Sequence, residues 1–181
     1  MLRLTRRDAF LGLAAASGWS ALAVAQTPAS APPAWTPRAL TAAQARALTA
    51  AAERIIPATD TPGAVEAGVP QYVDRAIATW CAPDQAQRLK AGLDQLDADA
   101  RSAHGAPFAA LAAPLQTGML STLDAESRTR RPHFFAELKE LVTAGYFTSE
   151  PGATRALRYD PVPGDYRGCV PLSEIGRAWA T

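Results

Sequence analysis

The 181-residue chain has 18 lysines and arginines against 17 aspartates and glutamates, and this formal charge of +1 gives no electrostatic reason to expect nucleic-acid binding. Alanine supplies 41 residues, whereas valine and isoleucine number only 7 and 4. Alanine ranks first in helix propensity, and a shortage of β-branched residues disfavours strands. The composition therefore predicts an all-α protein with enough large apolar side chains for one compact domain.

The N-terminal residues have the form of an export signal. Arginines precede an uncharged run, residues 9–25, in which Ala23 and Ala25 make the small-x-small pattern of a signal-peptidase site. The sequence thus predicts a signal peptide over residues 1–25 and a mature chain that begins at Gln26. An uncleaved anchor is the alternative, although a run this short is marginal for spanning a bilayer of about 30 Å.

Within this leader, the segment TRRDAFL at residues 5–11 is similar to the twin-arginine consensus. Arg6 and Arg7 are the paired arginines, followed by Phe10, one position later than usual, and Leu11. The twin-arginine route carries folded proteins, often because a cofactor or a partner must be bound first. The alternative is an ordinary signal for an unfolded chain. Since the chain has no cofactor motif, the twin-arginine interpretation favours a bound partner.

The mature chain is predicted to be a tether followed by a single helical domain. Residues 26–40 are rich in proline and alanine and predict an extended tether, and residues 41–181 form the domain. Apolar residues recur at helical spacing in a compact bundle of about five helices. The predicted helices are 42–56, 70–80, 84–103, a helix that begins near 114, and 134–144.

Local patterns predict how these helices begin and end. Thr41 and Gln44 have the spacing of a capping box before the first helix. Turn-forming residues predict an ordered surface loop over 57–69. Trp80 is predicted to close the apolar stripe of the second helix, and Gly145 is predicted to be the left-handed cap of the fifth.

The C-terminal segment differs in composition from the helical part. From residue 132 onward the chain carries 7 of its 13 aromatic residues, and residues 146–172 add several prolines and glycines. This composition is too hydrophobic for a disordered linker and too irregular for a helix. The segment is therefore expected either to wrap the chain's own helices or to dock on a partner.

The residue types that carry catalysis or bind metals are sparse. His104 and His133 have no ligand partner at metal-binding spacing, and solvated or cap-like roles are favoured for both. Asp94, Asp97 and Asp99 are interpreted as the solvated face of a helix. The chain has no glycine-rich phosphate loop, GxSxG elbow or CxxC pair. No catalytic, cofactor-binding or metal-binding residue is predicted.

The two cysteines leave three alternatives open. After export both would meet an oxidising compartment, where exposed thiols tend to pair. Cys169, in an exposed-looking turn, could form an intermolecular disulfide; Cys81 and Cys169 could pair internally; or both could stay free. Cys81 follows an apolar stripe and is most simply a buried core thiol.

Two long stretches of the chain carry a family resemblance. The first comprises IIPATDTPGA at 55–64, AGVP at 67–70 and Asp74. The second comprises FF at 134–135, LKEL at 138–141, GYFTSE at 145–150, GAT at 152–154, LRY at 157–159, PVPG at 161–164 and YRGC at 166–169. In these stretches, and in its leader, the chain resembles the small third subunit of membrane-bound gluconate 2-dehydrogenase and related FAD-dependent sugar dehydrogenases.

The resemblance implies a non-catalytic subunit of a periplasmic complex. In such complexes a flavoprotein of the glucose-methanol-choline type holds FAD and oxidises the substrate, and a multihaem cytochrome c subunit holds haem c and passes electrons on. The chain itself would hold no cofactor and would meet the membrane only through the complex. The flavoprotein would need this subunit for its folding and stability, and the leader of the chain would export the two together. The alternative is a transient assembly and export chaperone that the mature complex does not retain.

The resemblance also turns the C-terminal segment into a candidate interface. Tyr146, Phe147, Arg158, Tyr159 and Tyr166 are the expected partner contacts, because aromatic and arginine side chains dominate such interfaces. Cys169 would supply the intersubunit disulfide. Ordinary core packing is the alternative for each aromatic residue.

Overall fold

The structure, a computed structural model, describes residues 35–162, 164 and 168–180. The first nine residues of the predicted tether, 26–34, lie outside this part of the chain. So do the residues predicted for export, for signal cleavage and for one partner contact, which are Arg6, Arg7, Phe10, Leu11, Ala23, Ala25, Gln26 and Tyr166.

Within the described residues the chain forms six α-helices, and the first five make up the predicted bundle. They are α1 Ala42–Ile55, α2 Val69–Thr79, α3 Pro83–His104, α4 Ala113–Thr129, α5 Phe134–Phe147 and the short α6 Leu172–Ile175. A 3₁₀ turn, Phe108–Ala110, and a π-helical turn, Gly152–Ala156, complete the regular structure. This confirms the all-α prediction. No helix in the described ranges is both long and apolar enough to cross a membrane.

Helix α1 begins where the sequence predicts. The Thr41 hydroxyl accepts a hydrogen bond from the Gln44 amide at 3.2 Å, and the Gln44 side-chain carbonyl accepts from the Thr41 amide at 2.9 Å. This capping box satisfies two amides that no intrahelical carbonyl reaches. The helix ends at Ile55 because residues before a proline, here Pro57, disfavour helical backbone.

Helix α5 lies at the centre of the bundle and packs on α1, α2, α3 and α4. Its Leu138 and Val142 are fully buried in the same apolar core as Leu48 of α1 and Leu89 and Leu93 of α3. Burying one such side chain stabilises the fold by roughly 1.5–3 kcal/mol. The core therefore fixes α5, whose last turn leads directly into the C-terminal segment.

A close approach between α3 and α5 depends on a missing side chain. A Cβ atom at Gly92 would lie 2.1 Å from Cγ of Phe134 and 2.7 Å from its Cβ, at the base of a side chain that cannot simply swing away. Gly92→Ala is therefore expected to destabilise the protein by roughly 1–3 kcal/mol in urea unfolding.

The matched control is Gly118→Ala in α4, where an added Cβ meets no atom within 4 Å. Since alanine is the better helix former, this variant is expected to be neutral or to stabilise by up to about 1 kcal/mol. Equal stabilities of the two variants would contradict the close approach at Gly92.

The prediction for Gly145 was wrong. Helix α5 continues through Gly145 to Phe147, and Gly145 is not among the glycines with positive φ. A Cβ there would lie 2.6 Å from Cδ1 of Tyr72. The glycine therefore leaves the space in which the Tyr72 ring of α2 packs against α5. The absence of a side chain at this position thus serves packing between helices and not a left-handed cap.

Trp80 also departs from its predicted position. Helix α2 ends at Thr79, and Trp80 is its non-helical C-terminal cap with 57% of the residue exposed. Val73, Ala76 and Ile77 form the buried stripe as predicted. The Trp80 ring packs edge-on against Tyr72 at 6.1 Å between centroids. The helix ends before the tryptophan reaches the core.

The last residues of the predicted tether are bound to the bundle. Asp74 of α2 is 1% exposed, and its carboxylate accepts hydrogen bonds from the amides of Arg38 at 2.7 Å, Ala39 at 3.0 Å and Leu40 at 3.1 Å. A buried carboxylate needs such donors to offset its lost hydration. Residues 38–40 are therefore attached to the domain before α1 begins.

Candidate docking surface

A shallow groove of about 530 Å³ lies where the loop after α1, the end of α5 and the C-terminal residues meet. We call it the docking groove. It is lined by Ile55, Ile56, Pro57, Thr59, Asp60, Thr61, Tyr146, Phe147, Arg155, Ala156, Leu157, Arg177 and Ala178. Its lining is mainly apolar, and Asp60, Arg155 and Arg177 are its charged residues.

Glu53 shapes the loop that forms the first wall of the groove. One carboxylate oxygen of Glu53 accepts from the amide of Ala58 and the other from the amide of Val65, both at 3.3 Å. Gly63 lies so close that a Cβ would be 2.7 Å from the Ala58 nitrogen. The predicted ordered loop thus has a physical cause, because one side chain ties both of its ends to α1.

Tyr146 holds the same loop from the opposite side. It is 2% exposed, and its hydroxyl donates a hydrogen bond to the Pro62 carbonyl at 2.7 Å. It is also one of the residues that line the groove, and its ring meets that of Phe147 at 5.2 Å between centroids. The expected partner-facing role of Tyr146 does not fit this placement. Its side chain positions the loop from inside the core.

Phe147, the last residue of α5, faces outward. The residue is 41% exposed, in contrast to its buried neighbour, because successive helical side chains point about 100° apart. Beyond it, the Ser149 hydroxyl donates to the Tyr146 carbonyl at 2.6 Å and accepts from the Gly152 amide at 3.1 Å. These bonds turn the chain back along the groove.

Two segments from the C-terminal part pair beside the groove, which Leu157, Arg177 and Ala178 of these segments line. The Arg158 amide donates to the Ala178 carbonyl at 2.8 Å, and the Ala180 amide donates to the Arg158 carbonyl at 2.9 Å, which makes a parallel bridge. The Arg158 guanidinium lies 4.2 Å from the centroid of the Trp179 ring. Such a cation–π contact contributes about 0.5–1 kcal/mol at an exposed site. The Arg177 guanidinium also donates to the Arg155 carbonyl.

A protein-family model described as gluconate 2-dehydrogenase subunit 3 matches residues 42–164. The chain belongs to this family. No curated protein and no solved structure matches the chain. Membership of the subunit 3 family implies that the chain is one subunit of a multi-subunit gluconate dehydrogenase complex. The matched residues include the first wall of the docking groove and Phe147, whereas Arg177 and Trp179 follow them.

Other exposed apolar side chains of this subunit 3 chain are close in the sequence to residues that line the groove. Tyr159 is 57% exposed and Val162 is 79% exposed. Trp179 is 40% exposed and was missed in the sequence analysis, where a lone tryptophan near the chain end was its only signal. The structure brings Tyr146, Phe147 and Leu157 together around one groove, but it buries Tyr146. The roles of Phe147, Arg158 and Tyr159 as partner contacts stay predictions.

Both cysteines of the subunit 3 chain are free thiols in the structure. Cys81 is half-buried near the end of α2, and burial raises the pKa of its thiol, with a smaller contribution from the negative charge of Glu137. Cys169 is exposed. The internal bridge between them is not formed, and Cys81 is less deeply buried than the predicted core thiol.

Asp94 and Asp97 of the acidic cluster on α3 accept structural hydrogen bonds. Among the described residues, no group of three or more histidine, cysteine, aspartate or glutamate side chains is arranged to hold a metal ion. Asp94 accepts from the Gln44 side chain at 2.9 Å. Asp97 accepts from the Phe108 amide at 2.8 Å, which fixes the turn after α3.

The two histidines end and begin helices. His133 caps α5 by accepting from the Phe135 amide at 3.2 Å through Nδ1. His104 is the exposed last residue of α3, where a basic side chain suits the negative end of the helix dipole. The cap-like interpretation of His133 is confirmed.

Proposed function

We propose that this chain is the non-catalytic small subunit of a periplasmic FAD-dependent sugar or sugar-acid dehydrogenase complex. The docking groove binds the flavoprotein subunit, and the twin-arginine leader exports the two proteins together. FAD is held by the flavoprotein and haem c by a multihaem cytochrome subunit, and the chain meets the membrane only through the complex. Family membership supports the subunit role, and the leader over residues 5–11 supports export of a folded pair.

The observation that carries this proposal is the concentration of exposed large apolar side chains in the C-terminal part. Phe147, Tyr159, Val162 and Trp179 are all at least 40% exposed. Apolar side chains exposed together mark interaction sites, and aromatic residues are enriched among those that dominate binding energy. The chemistry of the surface thus fits an apolar partner face with charged residues at its rim.

The charged residues of the groove suit a partner that has both acidic and basic side chains around its apolar surface. Asp60 belongs to the loop after α1. Arg155 belongs to the π-helical turn, and Arg177 follows α6. Arg155 also faces Glu66 at 4.0 Å, a weak exposed pair that a partner's carboxylate could replace. The exposed thiol of Cys169 supports the proposed intersubunit disulfide.

The test is co-purification of flavoprotein with the chain from periplasm, without reductant so that a disulfide is retained. The Phe147→Ala, Tyr159→Ala double variant is expected to raise the dissociation constant for the flavoprotein at least about thirtyfold, because a hot-spot residue contributes about 2 kcal/mol or more. The loss is measured as flavin absorbance that no longer co-purifies with the chain. Thermal unfolding of the isolated variant should stay near that of the wild type, since both side chains are exposed.

Leu115→Ala is the matched control, because Leu115 is 43% exposed and lies on α4, outside both the docking groove and the C-terminal segment. It should retain the flavoprotein. Full retention by the double variant, or equal loss in both variants, would contradict docking through the groove and the C-terminal segment that follows Phe147. Flavoprotein bound in cytoplasmic extracts but not in periplasm would indicate the transient chaperone.

A further inference from the structure

A parallel β-bridge borders the docking groove. Its hydrogen bonds join the Arg158 amide to the Ala178 carbonyl and the Arg158 carbonyl to the Ala180 amide, so both main-chain groups of Arg158 are bonded. We call residues 177–180 the edge segment. Its Arg177 and Ala178 also line the docking groove, so the edge segment and the groove are continuous.

Trp179 presents its main-chain groups on the outer side of the edge segment. In a trans peptide the carbonyl and the amide point in opposite directions. The Ala178 carbonyl and the Ala180 amide both point at Arg158, so the Trp179 amide and the Trp179 carbonyl point away from it. Neither group has a hydrogen-bond partner among the described residues. The outer side therefore offers one donor and one acceptor, which are the groups that a further strand pairs with.

Contacts on the inner side hold the edge segment in place. The Arg158 guanidinium lies 4.2 Å from the centroid of the Trp179 ring, and the Arg177 guanidinium donates to the Arg155 carbonyl. Trp179 nevertheless stays accessible, with 40% of the residue exposed. A segment that is already held in an extended form loses little conformational entropy when it pairs with a partner. Exposed edges of this kind bind extended peptides by strand addition.

We propose that the flavoprotein subunit adds an extended segment of its chain as a strand along the edge segment, with main-chain hydrogen bonds to the Trp179 amide and carbonyl. This inference rests on the proposed function and names the form of the partner segment. Side chains of a strand alternate between its two faces, so every second side chain of the added segment can reach the apolar lining of the docking groove. The main-chain bonds fix the register, and the alternate side chains give specificity.

The test compares proline with alanine at Trp179. Trp179→Pro and Trp179→Ala both lack the indole ring, but the proline variant also lacks the amide hydrogen that the added strand would bond. The purified flavoprotein is titrated with each full-length variant. Relative to Trp179→Ala, Trp179→Pro is expected to raise the dissociation constant at least about tenfold, because a carbonyl of the partner loses its donor. Equal dissociation constants of the two variants would overturn the proposal.

Ala178→Pro is the matched control in the same segment. The Ala178 carbonyl points at Arg158, and an extended residue directs its amide to the same side, so the Ala178 amide lies on the inner side. Relative to wild type, this variant should change the dissociation constant about twofold or less. If proline weakened binding equally at the two positions, stiffening of the segment and not the outward amide would be the cause, and the proposal would fail.

A second measurement covers a proline that disturbs the bridge itself. In the wild-type chain, hydrogen exchange of the Trp179 amide, followed by NMR, should slow at least about tenfold when the flavoprotein binds, because the amide gains a partner. An unchanged exchange rate at Trp179 in the complex would overturn strand addition and leave docking through the groove intact. If no flavoprotein binds the wild-type chain, the proposed function and this inference both fail.

Discussion

Replacing Asp74 by alanine is expected to destabilise the protein by about 3–5 kcal/mol. The buried carboxylate accepts three backbone hydrogen bonds, and a hydrogen bond to a charged group makes a net contribution of about 1.5–3 kcal/mol. The three contributions do not add in full, because the part-buried amides of Arg38 and Ala39 can bind water when the carboxylate is removed. The Leu40 amide is buried and would be left without an acceptor. Urea unfolding with an unchanged slope measures the loss.

A local readout separates this attachment from a general loss of stability. The bond after Arg38 is a trypsin site at the point where Asp74 holds the chain, so cleavage there should accelerate in Asp74→Ala under native conditions. Asp99→Ala is the control, because Asp99 is exposed and, among the described residues, its carboxylate accepts from the Gln95 side chain of its own helix alone. If Asp74→Ala matched Asp99→Ala in both assays, the attachment of residues 38–40 would be refuted.

Tyr146→Ala and Phe147→Ala are expected to have opposite consequences. Truncating the buried Tyr146 should cost about 3–5 kcal/mol, as for other buried aromatic residues. Truncating the exposed Phe147 should cost about 1 kcal/mol or less and act instead on flavoprotein binding. Paired unfolding and co-purification measurements on the two single variants test this separation.

Tyr146→Phe isolates the hydroxyl. It keeps the ring but leaves the Pro62 carbonyl without its donor, so a loss of about 1–3 kcal/mol is expected. Because that bond holds the loop wall, Tyr146→Phe should also weaken flavoprotein binding modestly. Near-equal stability of Tyr146→Ala and Phe147→Ala would mean that the two side chains are not divided between core and surface.

Features that depend on neighbours along the chain were predictable. The capping box of Thr41 and Gln44 is local, and so is the 3.6-residue repeat that places Leu138 and Val142 on one face of α5. Pro70, in the first turn of α2, is likewise a local signal, because its fixed φ favours the start of a helix. The all-α class and the bounds of the main helices follow from such patterns.

Features that depend on distant segments could not be predicted from the sequence. Gly145 satisfies the local pattern of a helix cap, yet the ring of Tyr72 occupies the space that a side chain would need. Because α5 continues past Gly145, Tyr146 falls four residues after Val142 on the buried face of the helix and Phe147 falls outside that face. An aspartate such as Asp74 gives no local sign that its partners are the amides of residues 38–40.

The sequence by itself determined the helical class, the helix bounds to within a few residues and the family, because each depends on local propensity or on motifs read along the chain. Only the tertiary structure decided which aromatic residues are core and which are surface, and it alone gave the Asp74 carboxylate the amides of residues 38–40 as partners. The physical reason is that burial and hydrogen bonding at these positions are set by residues far away in the chain, which no local pattern encodes.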